Sequence, residues 1–237
     1  MLIDPDELAQ DLDKLEAIEK ASLRLVVQAV FDFREQAINI FQHERDLVQD
    51  IGEDITREAL DRMGVSRIDE RLFGKTDYKR ARYFFHPDYA IRQALFVDSK
   101  AEKVDGQRTA TLQTTQTSLR IRHIRKGEPT DVPGTLPQVF QTMKGKYLTT
   151  TIFVKYNYRE LENGSQLDNV VACALPNRML QDRYNPTAED TIWRAGRNAP
   201  ALGEDFRVRL AFALLKEKCR WRVQQIPVPP DPFLWDE

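Results

Sequence analysis

The sequence predicts a mixed α and β fold, with helices near the N-terminus and strands through most of the remaining chain. Apolar residues recur at helical spacing over residues 14–48, which indicates a long amphipathic helix. Apolar or alternating stretches at residues 90–97, 151–158 and 206–210 are typical of strands. A length of 237 residues allows one large domain or two small ones.

The N-terminal elements carry start and stop signals. Asp4 followed by Pro5 is a favourable N-cap and first-turn pair. One helix is then expected over residues 14–48, and its apolar stripe suits core packing better than a second subunit. Gly52 is expected to separate it from a short helix over residues 53–60.

Two hairpins are expected in the rest of the chain. Residues 79–85 and 90–97 predict two strands joined by a turn, and residues 151–158 and 167–175 predict a second pair. Residues 128–137 predict a loop, because they contain several prolines and a glycine.

Composition excludes several classes of protein. The chain is 41% hydrophobic and 30% charged, which is ordinary for a globular domain. Cys173 and Cys219 are too few for a disulfide framework and lack zinc-site spacing, so they fit a reducing cytoplasm. No apolar run approaches the ~20 residues of a membrane span, and an acidic N-terminus argues against a signal peptide. We therefore expect no membrane association.

Charge is distributed unevenly along the chain. Residues 1–70 contain 8 Lys/Arg and 18 Asp/Glu, whereas residues 178–222 contain 10 Lys/Arg and 6 Asp/Glu. An acidic end and a basic end are typical of a protein that binds a polyanion through one surface only. Uneven surface charge without a function explains the pattern equally well.

The strongest candidate for chemistry lies in residues 77–100. Side chains alternate along a strand, so Asp98 and Lys100 share one face of the second predicted strand and Ser99 points the other way. A carboxylate and an ammonium at the end of a buried strand are costly to desolvate unless a metal ion or charged ligand joins them. If the two strands pair as a hairpin, Asp77 returns close to Asp98.

Two acids followed by a lysine form the D-(x)n-(D/E)-x-K pattern of Mg²⁺-dependent nucleases. Mg²⁺ prefers oxygen ligands, polarises a phosphate and lowers the pKa of an attacking water. The lysine orients or deprotonates that water, or neutralises charge on the phosphorus oxygens. The same short motif also occurs at solvated strand ends, so alone it is a hypothesis. Glu53 either reaches this cluster from a neighbouring helix or stands in a first turn, where the helix dipole favours carboxylates.

Two basic stretches are candidates for contacting nucleic acid. Arg120 and Arg122 alternate with apolar residues, which predicts a cationic strand that follows phosphates or a charged edge strand. Arg207 and Arg209 are expected on one face of a strand, where each guanidinium can form a bidentate pair with guanine. The alternative is a surface strand whose arginines pair with nearby carboxylates.

Segments spread along the chain resemble consecutive segments of SfiI-type type II restriction endonucleases. They run in the family's order from residue 19 to about 226: EKASLRLVVQAV, GEDITREAL, TDYKRARYFF, ALFVDSKAE, FVKYNYREL, RYNPTAEDT, RAGRNAPALGE and KEKCRWRVQQI. The resemblance implies a PD-(D/E)XK core, an α/β (α+β) fold with a mixed central sheet flanked by helices. It implies one restriction-endonuclease domain over residues 1–237, with N-terminal helices in 1–62 and a catalytic and DNA-recognition core in 68–237.

The resemblance also implies an activity. It implies Mg²⁺-dependent cleavage of both strands of duplex DNA at interrupted palindromes with GC-rich halves, with Mn²⁺ as a substitute and with 5′-phosphate and 3′-hydroxyl ends. The expected partners are double-stranded DNA, a homodimer or a homotetramer bridging two sites, and a cognate DNA methyltransferase in the same prokaryotic cytoplasm. Two alternatives on the same fold are a catalytically inactive sequence-specific DNA-binding protein and a structure-selective DNA repair nuclease.

The resemblance assigns roles to individual residues. Asp77 and Asp98 match the metal-binding aspartates and Lys100 matches the catalytic lysine. The carbonyl of Ser99 is well placed as a further metal ligand, and Glu53 matches a glutamate before the family's second helix. The residues that match the family's recognition loop and recognition strand are Arg197, Arg207 and Arg209.

Overall fold

The computed structural model describes residues 2–44, 48–64, 81–86, 89–104, 108–196 and 207–237. After a 3₁₀ turn at Pro5–Gln10, the helices are α1 (Leu12–Asp32), α2 (Arg34–His43), α3 (Val48–Arg62), α4 (Gln181–Tyr184) and α5 (Phe212–Lys218). The strands are β1 (Ala81–His86), β2 (Ile91–Lys103), β3 (Thr109–Gln113), β4 (Ile121–Arg125), β5 (Glu128–Val132), β6 (Val139–Thr142), β7 (Gly145–Leu161), β8 (Gly164–Leu175), β9 (Trp193–Ala195), β10 (Arg207–Ala211) and β11 (Val223–Pro227).

The N-terminal helices are shorter than predicted. Asp4 accepts a hydrogen bond from the backbone N–H of Asp6 at 3.1 Å, so the predicted cap is confirmed, although it begins a 3₁₀ turn. The single helix predicted over residues 14–48 is wrong. It breaks at Phe33, whose ψ of 2° leaves the helical region. Phe33 is buried, so the break lets the apolar stripes of α1 and α2 both stay on the core.

Gly52 lies inside α3, so its predicted role as a separator is also wrong. Glu53 therefore stands in the middle of the helix, and the first-turn explanation for it fails. The glycine has a packing role, because α3 lies directly against β2. A Cβ at Gly52 would stand 3.0 Å from the backbone nitrogen of Ala101 and 3.0 Å from the carbonyl carbon of Lys100.

The central sheet is mixed, as predicted. Among the described residues it has the order β1-β2-β7-β8-β11, with β6 pairing the start of β7. β2 and β7 run parallel, with Asp98 opposite Phe153 and Lys100 opposite Lys155. The other pairs in this sheet are antiparallel. In β1, Ala81 pairs with Phe96 of β2, so the predicted hairpin is present in the part that the structure describes.

The two faces of the central sheet are covered differently. Helices α1 to α3 cover one face, where Leu95, Val97 and Ala101 of β2 join the main apolar core. The other face carries a small sheet with the order β3-β10-β9. Val208 and Leu210 of β10 are fully buried in the apolar cluster beneath it. The catalytic candidates on β2 therefore lie on the side of the small sheet.

The loop predicted over residues 128–137 is partly a strand. β5 pairs with β4 in an isolated two-stranded hairpin among the described residues. Lys126 and Gly127 form the turn with φ values of 52° and 85°, the left-handed geometry of a tight hairpin turn. Pro129 is tolerated because β5 is an edge strand, where a missing N–H leaves no ladder bond unmade.

None of the helices in the described part of the chain combines the length and apolar character that a bilayer crossing requires.

Candidate active site and recognition face

Asp98 and Lys100 leave the same face of β2, as the alternation predicts. Asp98 is only 4% exposed, and Lys100 is half-buried. The Lys100 ammonium stands 5.9 Å from the ring centroid of Phe153, the residue opposite Asp98 on β7. The burial of Asp98 and the partial burial of Lys100 at the end of an apolar strand distinguish this site from a solvated strand end.

Both charged groups are hydrogen bonded to the chain segment that contains β3. The Gln116 side-chain amide donates to Asp98 Oδ2 at 2.7 Å. Lys100 Nζ donates to the carbonyl oxygen of Thr111 at 2.8 Å. The site is therefore built between the central sheet and the edge of the small sheet.

Ser99 points to the opposite face, also as predicted. Its hydroxyl donates to Thr56 Oγ1 of α3 at 2.8 Å, and that oxygen lies 2.8 Å from the hydroxyl of Tyr156. Burial raises the pKa of Tyr156, so its hydroxyl keeps the proton that this chain of hydrogen bonds needs. These bonds fix α3 to the back of the catalytic strand.

A partly buried ion pair continues the site along β2. Lys155 is fully buried, and its ammonium lies 2.8 Å from Glu102 Oε2 and donates to the carbonyl oxygen of Thr109 at 3.0 Å. Sequence analysis missed both residues. The signal was present, because Glu102 continues the alternation of Asp98 and Lys100, and Lys155 interrupts an otherwise apolar strand.

The oxygen donors suit a hard divalent cation. Asp98 supplies a buried carboxylate, and the adjacent Ser99 carbonyl lies on a part of β2 that pairs with β7 alone among the described strands. The described ranges contain no cluster of three or more Asp, Glu, His or Cys side chains that could by itself hold a metal ion. The predicted set also needs Asp77, which lies outside the described residues. Glu53 is exposed on α3, next to the glycine that contacts β2.

The small sheet presents arginines on its outer face. Arg207 and Arg209 are half-buried and share a face, because Val208 between them points to the core. Arg194 of β9 pairs with Arg209, so it belongs to the same face, and it is exposed. Sequence analysis missed Arg194, although it alternates with the buried Trp193. The predicted recognition residue Arg197 lies outside the described residues.

Arg120 and Arg122 form contacts with neighbouring residues of the protein. Their Nε atoms lie 2.9 Å and 3.3 Å from the carboxylate oxygens of Asp131 on β5. Arg122 also donates to the carbonyl oxygen of Pro186 at 2.6 Å. Both side chains remain partly exposed, and their predicted contact with DNA stays a prediction.

The family model for the type II restriction enzyme SfiI matches residues 16–226. The chain belongs to the SfiI family. It is 34% identical to the type II restriction enzyme SfiI of Streptomyces fimbriatus over 233 residues, covering 93% of this chain and 87% of that protein. It is thus a site-specific deoxyribonuclease of the SfiI type, and the predicted family is confirmed.

Solved structures agree with the SfiI assignment. The crystal structure of tetrameric SfiI bound to cognate DNA superposes with a TM-score of 0.83 at 30% identity, covering 98% of this chain and 90% of that one. The restriction endonuclease BglI bound to its DNA recognition sequence gives a TM-score of 0.71 at 17% identity, covering 94% of each chain. BglI supports the fold alone.

Proposed function

We propose that this SfiI-family enzyme is a Mg²⁺-dependent endonuclease that cuts both strands of duplex DNA at an interrupted palindromic, GC-rich site, leaving 5′-phosphate and 3′-hydroxyl ends. Mn²⁺ is expected to substitute for Mg²⁺. Residues 1–237 act as one restriction-endonuclease domain. The enzyme works in a prokaryotic cytoplasm beside a cognate DNA methyltransferase, which protects the host's own sites.

The observation that carries the proposal is the pair of charged groups on β2, the buried Asp98 and the half-buried Lys100. Asp98 and Lys100 are two residues apart on one strand face, which separates their Cα atoms by roughly 7 Å. A phosphate group fits beside a carboxylate and an ammonium at that spacing. The hydrogen bonds to Gln116 and Thr111 hold both side chains towards the edge of the small sheet.

Each residue has a proposed part in the cleavage reaction. Asp77, Asp98 and the carbonyl of Ser99 would hold the divalent ion, which polarises the scissile phosphate and acidifies an attacking water when bound. Lys100 orients that water or stabilises negative charge on the phosphate oxygens, because its side chain lies on the same face of β2 as Asp98. Glu53 is proposed as an auxiliary acidic residue at the helix–strand contact.

Recognition is assigned to the arginines of the small sheet. Arg207 and Arg209 lie on one face, and we propose that each guanidinium forms a bidentate pair with a guanine edge. Arg197 is proposed to contact the same site from the adjoining loop. Arg120 and Arg122, at the β4–β5 hairpin, are proposed to contact the DNA backbone. Contacts with phosphates supply much of the affinity of DNA-binding proteins and fix their position on the duplex.

The assembly follows from the symmetry of the target. Two subunits related by a two-fold axis place two active sites on the two strands of a palindrome. We propose a homodimer as the cutting unit, or a homotetramer that bridges two sites. The tetramer is supported by the crystal structure of SfiI, which is tetrameric and bound to cognate DNA.

A digest tests the proposal directly. Bacterial genomic DNA is incubated with the enzyme in Mg²⁺, in Mn²⁺ and in EDTA, and the fragment ends are sequenced. We expect discrete fragments with either metal, none in EDTA, and ends that DNA ligase joins without prior phosphorylation. Random or absent cutting with both metals would reject site-specific cleavage.

Asp98→Ala tests the site. We expect this variant to bind the mapped site without cutting it, while Asp182→Ala, at an exposed aspartate of α4, cuts normally. Unchanged cleavage by Asp98→Ala would reject the residue assignment.

A further inference from the structure

The strand β3 connects the catalytic strand to the recognition strand. One edge of β3 pairs with β10, where Thr111 is opposite Arg209 and Gln113 is opposite Arg207. Lysines from the central sheet hold the carbonyl oxygens of Thr109 and Thr111, at 3.0 Å and 2.8 Å. Successive carbonyls alternate in direction along a strand, so these two point to the same edge, away from the ladder with β10. Buried carbonyl groups need such partners.

Gln116 completes this connection at the end of β3. Its side-chain oxygen accepts from the backbone N–H of Gln113 at 2.8 Å, while its side-chain nitrogen donates to Asp98 Oδ2 at 2.7 Å. One amide group therefore joins the metal-binding candidate Asp98 to the residue opposite Arg207.

The turn that carries Gln116 is fixed on both sides. The Thr114 carbonyl accepts from the backbone N–H of Thr135 at 2.9 Å, and the Thr117 carbonyl accepts from that of Leu136 at 3.2 Å. The capping bond to Gln113 then limits how the side chain can rotate. A donor held in this way keeps its direction, which is the requirement for orienting a neighbouring carboxylate.

We propose that Gln116 is a positioning residue for DNA cleavage, which fixes the Asp98 carboxylate relative to the recognition sheet. This inference rests on the proposed role of Asp98. The donated hydrogen bond occupies Oδ2 and so sets the rotation of the carboxylate. Because the same amide is anchored to Gln113, displacement of the recognition sheet also displaces the group that orients Asp98.

Two substitutions separate the positioning bond from the capping bond. Gln116→Glu keeps an acceptor for the Gln113 N–H, but it loses the donor and places a second carboxylate beside Asp98. Gln116→Met loses both bonds at similar side-chain length. Thr115→Ala, in the same turn and exposed, is the control, because the Thr115 hydroxyl donates to Gln113 Oε1 at 3.4 Å and not to Asp98.

Single-turnover cleavage of a duplex carrying the mapped site is measured for each variant, together with metal-free DNA affinity by fluorescence anisotropy. For Gln116→Glu we expect the cleavage rate constant to fall about 10- to 100-fold, the usual effect of losing a bond that orients a metal-binding side chain. We expect the metal-free Kd of both variants to stay within about threefold of the wild type, because neither substitution removes a DNA-binding group. The cleavage rate of Gln116→Met should fall at least as much as that of Gln116→Glu. Thr115→Ala should match the wild type.

Three results would overturn the proposal. Wild-type cleavage by Gln116→Glu would show that the donated bond is irrelevant. Loss of rate in Gln116→Met alone would show that only the cap matters. A fall in metal-free affinity equal to the fall in rate would show that Gln116 supports DNA binding instead.

The same experiment keeps the two proposals apart. If Asp98→Ala cuts normally, the proposed active site fails whatever Gln116 does. If Asp98→Ala is inactive and Gln116→Glu is fully active, only the positioning role fails.

Discussion

Replacing Gly52 by alanine should disturb the active site from the opposite face of β2, where α3 packs. The new Cβ would stand 3.0 Å from two backbone atoms of β2, in Lys100 and Ala101, and 3.2 Å from Cδ2 of Tyr156. Two of the three neighbours are backbone atoms of a central strand, which cannot rotate away. The helix α3 and the strand must therefore separate by a few tenths of an ångström, and the backbone of Lys100 moves with them.

The expected magnitudes follow from two opposing contributions. Overpacking costs about 1–3 kcal/mol, while alanine in a helix interior is about 1 kcal/mol more favourable than glycine. The free energy of unfolding of Gly52→Ala should thus fall by about 0–2 kcal/mol, which lowers Tm by about 2–4 °C per kcal/mol in a chain of this size. The cleavage rate should fall more than stability, by about tenfold or more, because small displacements of catalytic groups are costly.

Thermal unfolding and single-turnover cleavage measure both effects on the same preparation. Glu58→Ala is the control, because Glu58 is exposed on the same helix and forms a surface ion pair with Arg62, Nε to Oε1 at 3.3 Å. It should leave both quantities unchanged. A Gly52→Ala enzyme that is more stable than the wild type and cuts at the wild-type rate would refute the close contact between α3 and the catalytic strand.

Three further predictions concern other parts of the molecule. Lys155→Met should lower the free energy of unfolding, measured by urea denaturation, by about 3 kcal/mol, because it leaves the Glu102 carboxylate without its ion-pair partner. This is the low end of the range for breaking a buried ion pair, since Glu102 is 24% exposed. Arg194→Ala should weaken DNA binding and reduce the slope of log K against log[salt] by about 1, as loss of one phosphate contact does. At pH 8 a thiol reagent should label Cys219 in the folded enzyme but not Cys173, because burial raises the pKa of the Cys173 thiol.

Each of these predictions has a contrary outcome. Unchanged urea stability in Lys155→Met would mean that the buried pair contributes nothing to folding. An unchanged salt slope in Arg194→Ala, equal to that of the control Arg159→Ala at an exposed arginine of β7, would exclude Arg194 from the DNA interface. Labelling of both cysteines before unfolding would contradict the burial of Cys173.

Sequence patterns predicted local features of the fold and site well, because those depend on neighbouring residues. The alternation along β2 placed Asp98 and Lys100 on one face and Ser99 on the other, and the structure has this arrangement. Helix boundaries were predicted less well. The break at Phe33 and the glycine inside α3 are set by how the helices pack on the sheet, and periodicity carries no information about that contact.

The long-range partners could not be predicted from the sequence for the same reason. Gln116 lies 18 residues from Asp98, in a polar stretch without a recognisable pattern. Lys155 is 53 residues from Glu102, and only the parallel pairing of β2 with β7 brings them together. Parallel register has no turn to specify it, so it is determined by packing over the whole sheet.

Alternate side chains of β2 face opposite sides of the sheet, so the register of this strand determines whether Asp98 and Lys100 point into the active site. Leu95 and Val97 face the helices, and Ala94 and Phe96 face the other way, all of them buried. A slip of one residue would turn Asp98 and Lys100 towards α3 and present Ser99 to the small sheet. The apolar residues before Asp98 prevent this slip, since both faces would lose well-packed contacts. The strand that contributes the catalytic charges is therefore held in place by uncharged side chains, and substitutions in this apolar stretch should affect cleavage through the direction in which those charges point.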